Sequence, residues 1–175
     1  MLGSGALWCS GSAPVEPRSK LSTQFMRLRS DGVSFTILVG ANADLYNLPV
    51  GLSRAVILFG PAPDGESFLA DETLLMAPVF LEPGDPRVRS DMPAWQTDDW
   101  ARGARSGYAR RGVRSLSVVD GLLRYLAHHP ALADLQVVDL VGQGAGAELL
   151  RRHAARSAGG PGRLRLRYRL QQASE

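Results

Sequence analysis

The stretch Leu135–His153 reads LQVVDLVGQGAGAELLRRH: an apolar strand, a glycine-dense turn, then a helix. The turn is Gly142-Gln143-Gly144-Ala145-Gly146. Two chemistries use such a strand-turn-helix. The first is nucleophilic. In the spacing G-x-S-x-G a serine stands at the tip of the turn, and the flanking glycines let the two backbones pass closely. The N–H after the serine then faces the developing oxyanion. Gly144 holds the serine position here, so the turn cannot form an acyl-enzyme. Gln143 can hydrogen-bond a ligand but is a poor nucleophile, and Ala145 keeps the oxyanion donor. The second chemistry is phosphate binding. Gly142, Gly144 and Ala147 also read G-x-G-x-x-A, a fingerprint in which the helix N-terminus holds a pyrophosphate. That reading wants an acid about 20 positions onward. The next strand instead carries Arg163, Arg165, Arg167 and Arg169, with Glu175 the first acid after them. Arginines suit a 2′-phosphate, so an NADP- or NAD-binding module stays open as an alternative.

Other side chains offer less. Ser106 and Ser115 are replacement nucleophiles without an identifiable base, and Ser106 is kept as the candidate. Asp98 and Asp99 are adjacent in a loop, which fits solvated carboxylates better than an acid-base pair. His128-His129 suits the C-terminal end of a helix. No cysteine or carboxylate pattern accompanies these histidines, so no metal is expected, and no cofactor under the favoured reading. Trp95 and Trp100 read as loop anchors. Asp120 is expected to be exposed or to cap a nearby loop.

The chain has 175 residues, 45% hydrophobic and 21% charged, enough for one domain with a real core. No apolar run approaches the roughly 20 residues of a membrane span. The first residues lack a basic leader segment, which points to a cytoplasmic protein. Cys9 is the only cysteine, so no intrachain disulfide forms, as in a reducing compartment. The net charge is +3, and Lys20 is the only lysine. That arginine bias fits a GC-rich genome better than a binding surface. No nucleic-acid module is visible, so no nucleic-acid partner is expected. Residues 1–20 read as a flexible arm and 21–175 as a single domain.

The elements that must position the turn follow from periodicity. Thr23–Arg29 and Val33–Val39 flank the turn signal Asp31-Gly32 and predict a hairpin. Ala55–Phe59 and Thr73–Phe80 are continuous apolar runs, as in strands buried on both faces. Residues 82–112 form a long loop, rich in Pro, Gly, Asp and Arg, which its tryptophans pack. Ser115–Leu126 has helical spacing at 116, 119, 122, 123 and 126, with Ser115 as N-cap. Gln136–Val141 predicts a buried strand. Ala147–Ala158 predicts a helix stopped by Gly159-Gly160-Pro161. Arg163–Leu170 alternates strictly and predicts a strand. This order implies an α/β sheet, mostly parallel, with flanking helices and an N-terminal hairpin.

Several short motifs stand in a fixed order: Phe59-Gly60, Ala77-Pro78-Val79-Phe80, Trp95 and Trp100, Gly103 with Ser106, Ser115 with Asp120, and Gly142–Ala147. Arg167-Tyr168 and Ala173-Ser174 complete the series. In this order the chain resembles the α/β-hydrolase-fold proteins whose elbow reads G-H-S-A-G-G, over about residues 54–174. The resemblance implies a C-terminally short α/β-hydrolase-like sheet with a pocket above Gly60 and Gly142–Gly146. It also marks the departures. Gly144 replaces the serine, and Phe59 replaces the usual histidine. Pro61 has no N–H to give an oxyanion hole. The acid and histidine that would follow the elbow fall beyond Glu175. The expectation is a catalytically inactive homologue, or a piece of a longer gene, with a residual small-molecule pocket or a protein-interaction role. The alternative is an esterase-type hydrolase with a relocated or second-chain nucleophile. The strand Arg163–Leu170 puts its arginines on one face. Burying four unpaired arginines would be prohibitive, so it is expected at an edge, open to self-association or a protein partner.

Overall fold

The structure, a computed structural model, describes residues 21–60, 71–107, 112–156 and 159–171. The arm 1–20, Pro61 and Ala173-Ser174 lie outside the described residues. Among the described residues six strands form one sheet: β1 (Ser22–Ser30), β2 (Val33–Ala41), β3 (Arg54–Phe59), β4 (Thr73–Val79), β5 (Val137–Gln143) and β6 (Arg165–Gln171). Their order across the sheet is β1-β2-β4-β3-β5-β6. The pairs β1–β2 and β2–β4 are antiparallel, while β3–β4, β3–β5 and β5–β6 are parallel. The fold is therefore the mixed, mostly parallel α/β sheet with an N-terminal hairpin that the sequence implies.

The hairpin closes where Asp31 (φ 52°) and Gly32 (φ 74°) both take left-handed backbone. A two-residue turn with two positive φ angles matches the right-handed twist of the flanking strands. Its register sets Ser30 opposite Val33 and Ser22 opposite Ala41. Met26 and Leu28 then face the core, while Arg27 and Arg29 face water.

Two helices lie against the sheet, α1 (Ser115–His128) and α2 (Ala145–Arg156). Val119, Leu122 and Leu126 of α1 and Leu149 and Leu150 of α2 share one core with Ala55, Ile57, Val138 and Leu140 of the strands. On the opposite face Val56, Leu58, Leu75 and Val141 form a separate buried cluster. Strands β3 and β5 are thus apolar on both faces, which is why they read as continuous runs. The connection after β4 is packed. Its Leu81 and Met92 cover Leu38 of β2, and Asp91 accepts the Thr36 N–H at 3.0 Å. It also contains a short 3-10 helix, Thr97–Arg102.

Three differences from expectation bear on the site. Helix α2 begins at Ala145 rather than Ala147, directly after the tip of the turn. Ser115 is the first residue of α1 and not its N-cap; its hydroxyl is buried and donates to the Trp100 carbonyl at 2.6 Å. The last strand begins at Arg165, leaving Arg163 in the preceding loop.

Candidate functional site

Parallel pairing sets Phe59 beside Gly142, so β3 and β5 end side by side. Three glycines are required by what surrounds them. A Cβ on Gly142 would stand 2.7 Å from the Gly146 carbonyl oxygen and 2.8 Å from the Ala147 Cα. A Cβ on Gly146 would collide with the Phe59 carbonyl. At Gly60, where φ is +100°, it would lie 2.5 Å from the Gln143 carbonyl oxygen. Strand β5, the start of α2 and the end of β3 therefore meet backbone to backbone.

Gly144 is different. Its φ is +56°, and among the described residues nothing lies within 4 Å of where its Cβ would project. It is exposed, and its carbonyl accepts the Glu148 N–H at 3.2 Å, closing the first turn of α2. Ala145 is half-buried at that first turn. The structure thus brings Gly60, Gly142, Gln143, Gly144, Ala145 and Ala147 together at one end of the sheet. The tip of the turn points a bare position into open space.

Aromatic rings stand beside β3. Phe80 stacks on Trp100 with centroids 4.3 Å apart and planes within 4°, meets Trp95 edge-on at 5.4 Å, and lies 6.5 Å from Phe59. Trp95 is 3% exposed and its indole N–H donates to the Ala104 carbonyl at 2.9 Å. It anchors the loop. Ser106 is buried, and its hydroxyl accepts the Val113 N–H at 2.9 Å while its own N–H donates to the Val113 carbonyl at 2.8 Å. These contacts pin the two sides of the loop together.

Two constellations escaped the sequence reading. The first surrounds Asp139, which is fully buried in the middle of β5. Arg167 reaches it with two parallel hydrogen bonds, Nε to Oδ1 at 2.6 Å and Nη2 to Oδ2 at 3.0 Å. Arg54 donates from Nε at 3.0 Å and again from Nη2, and Arg169 stands 3.9 Å away. Burial alone is the strongest influence on this carboxyl and pushes its pKa up. The hydrogen bonds and charges of Arg167 and Arg54 together outweigh it and hold the pKa below the ordinary carboxylate value. Strand β6 stands at the edge as expected, but three of the four arginines find partners. Arg167 and Arg169 turn to Asp139, and Arg163 donates to the carbonyls of Ala127, Leu132 and Leu135. Two of the cations that a dinucleotide reading would offer to a 2′-phosphate, Arg167 and Arg169, are already drawn to a carboxylate. The available signal was an acid inside an apolar run, facing a strand of alternating arginines.

The second constellation is His153. It is 2% exposed, with Nε2 2.7 Å from Asp120 Oδ1 and Nδ1 2.8 Å from the Tyr168 hydroxyl. Asp120 was expected in solvent or capping a loop; instead it ties α1 to α2. Both ring nitrogens are engaged, so this histidine joins α1, α2 and β6. His128 Nδ1 lies 2.9 Å from the Arg124 carbonyl, and His129 Nδ1 accepts the Ala131 N–H at 3.1 Å.

No family model matches the chain, and no curated protein matches it. Among solved structures it is similar to XC6422 from Xanthomonas campestris, an a/b serine hydrolase without lid. The identity is 11%, over 77% of this chain and 56% of that one, with a TM-score of 0.43. It is also similar to LpqC, a poly(3-hydroxybutyrate) depolymerase from Bordetella parapertussis, at 14% identity over 78% of this chain and 48% of that one, TM-score 0.45. A thermophilic esterase from Thermogutta terrifontis aligns at 16% identity over 73% of this chain and 42% of that one, TM-score 0.40. The chain spans about half the length of these structures.

Proposed function

We propose that this chain is an α/β-hydrolase-like domain that binds a small molecule, or a protein partner, at the turn above Gly60 and Gly142–Gly146 without turning it over. One observation carries the reading. The turn has the close backbone crossing of a nucleophile elbow, enforced at Gly60, Gly142 and Gly146, and nothing but hydrogen at its outward tip, Gly144. A nucleophile elbow works because a hydroxyl stands at that tip. With glycine there, the geometry that would present an attacking oxygen presents space. The N–H groups that open a helix donate to a carbonyl or carboxylate placed there. Pro61, outside the described residues, has no N–H to contribute to an oxyanion hole.

Two measurements test the two halves of this reading. Incubation with a fluorophosphonate probe and with short-chain p-nitrophenyl esters is expected to give no covalent adduct and no turnover above a Gly144→Ala background. An adduct at any serine, or turnover abolished by Ser106→Ala, would overturn the inactive reading in favour of a relocated nucleophile. Titration of the isotope-labelled protein with a short-chain ester is expected to shift the Gly144 and Ala145 amide resonances. Unmoved resonances at millimolar ester would remove the small-molecule pocket.

A further inference from the structure

A cavity of about 460 Å³ opens beside the N-terminal hairpin. The hairpin turn supplies Ser30 and Asp31, the entry to α1 supplies Arg114 and Ser117, the loop supplies Arg105, and the end of α2 supplies Arg156. Three arginines therefore line one small space. Asp31 is the only acid among the described lining residues, and it accepts the Ser117 hydroxyl at 2.7 Å. Among the described residues Arg114 and Arg156 have no carboxylate within ion-pair distance. Arg105 Nη1 donates to the Gly112 carbonyl at 3.3 Å, which holds that side chain on the cavity wall.

Like charges gathered in a concave space raise the local potential and favour a counter-anion. The helix start does not supply the donors. The N–H of Ser115 already goes to the Ala104 carbonyl at 3.2 Å, and that of Ser117 to the Arg114 carbonyl at 2.9 Å. The arginines do. Guanidinium forks present paired N–H groups that match tetrahedral oxyanions and carboxylates. Arg114 and Arg156, neither with a described carboxylate partner, offer two forks that one phosphate-type dianion can bridge.

We propose that this cavity binds a compact phosphate-type dianion, a phosphomonoester or pyrophosphate group, between Arg105, Arg114 and Arg156. The size suits a small ligand rather than a macromolecule. The proposal is independent of the elbow, which shares no residue with the cavity.

Inorganic pyrophosphate is the probe. Calorimetric titration at fixed ionic strength is expected to saturate, and the Asp31, Val113 and Ser117 amide resonances are expected to shift with it. Arg114→Gln and Arg156→Gln should each weaken binding by about tenfold, the scale of one charge-assisted hydrogen bond. Arg87→Gln should leave it unchanged, since Arg87 pairs with Asp85 on an exposed loop. Both test arginines are exposed, so the substitutions spare the core. Should either variant fail to fold, the wild-type amide shifts decide. Absence of saturation beyond a chloride control would overturn the proposal, as would shifts confined to other parts of the chain or equal affinity in all three variants. Citrate binding as tightly as pyrophosphate would overturn the phosphate class.

Discussion

Three residues apart on β5, Asp139 and Gly142 are held by opposite means. Around Gly142 the backbones of β3, β5 and α2 approach so closely that any added carbon collides, and no charge takes part. Around Asp139 nothing is crowded out. A carboxylate without exposed surface is kept ionised by two arginines from the strands on either side, each of them partly in water. One region is specified by side chains that are absent, the other by side chains that must be present. The turn is thus perturbed by adding atoms and the clamp by removing them. A side chain at position 144 would meet no described atom, so the crossing constrains that position only through its left-handed backbone. An elbow's geometry and an elbow's chemistry are separable here.

The largest effect that tests this contrast is expected at Gly146. Gly146→Ala drives a Cβ into the Phe59 carbonyl, backbone against backbone, with no flexible side chain to yield. The cost should reach about 3 kcal/mol or more, at the upper end for overpacking. Gly142→Ala should follow closely, for the same reason. Urea unfolding measures both. A loss under about 1 kcal/mol at Gly146 would mean the crossing is looser than described.

Asp139→Asn comes next. It removes the charge while keeping the shape, and charge-assisted hydrogen bonds are worth about 1.5–3 kcal/mol before solvent screening. Because Arg54 and Arg167 are 37% and 48% exposed, a loss near 2 kcal/mol is expected. The same carboxylate gives a pH signature. Its folded pKa lies below its ordinary value of 3.8, so the unfolded state binds its proton more readily. The stabilisation is fully present above the unfolded pKa and is lost as pH falls through the folded one. Wild type should therefore lose stability below about pH 4 more steeply than Asp139→Asn. Parallel acid profiles for the two proteins would break the clamp half of the comparison.

The sequence made the two regions unequally legible. The hairpin was readable because Asp31-Gly32 is a local signal, and β3 and β5 because burial on both faces leaves an unbroken apolar run. The glycine turn was readable as a close crossing, since small residues at fixed spacing record it within five positions. Its glycines read as loop, yet the helix starts at once behind Gly144, two residues before the position the spacing predicts. The Asp139 clamp was not readable. Arg54 lies 85 residues before Asp139 and Arg167 lies 28 after it, and only the sheet order brings them together. Asp120 and His153 are separated by 33 residues in the same way. Where specificity comes from excluded volume along one segment, the sequence carries it; where it comes from pairing between strands, the register must be known first.

The smallest effect is expected at Gly144, and it sharpens the contrast most. Gly144→Ala and Gly144→Ser add a Cβ to open space, so only the left-handed backbone is penalised, by about 1 kcal/mol. Both variants should fold, about 2 kcal/mol more stable than Gly146→Ala in the same titration. Gly144→Ser then places a hydroxyl at the tip of the turn. It is expected to stay inactive toward short-chain p-nitrophenyl esters, because a serine alone is a weak nucleophile and needs a base to take its proton. The buried histidine nearest in sequence, His153, already has both ring nitrogens engaged by Asp120 and Tyr168. Measurable esterase activity in Gly144→Ser would show that a base does reach this turn, and that the missing hydroxyl was the whole of the defect.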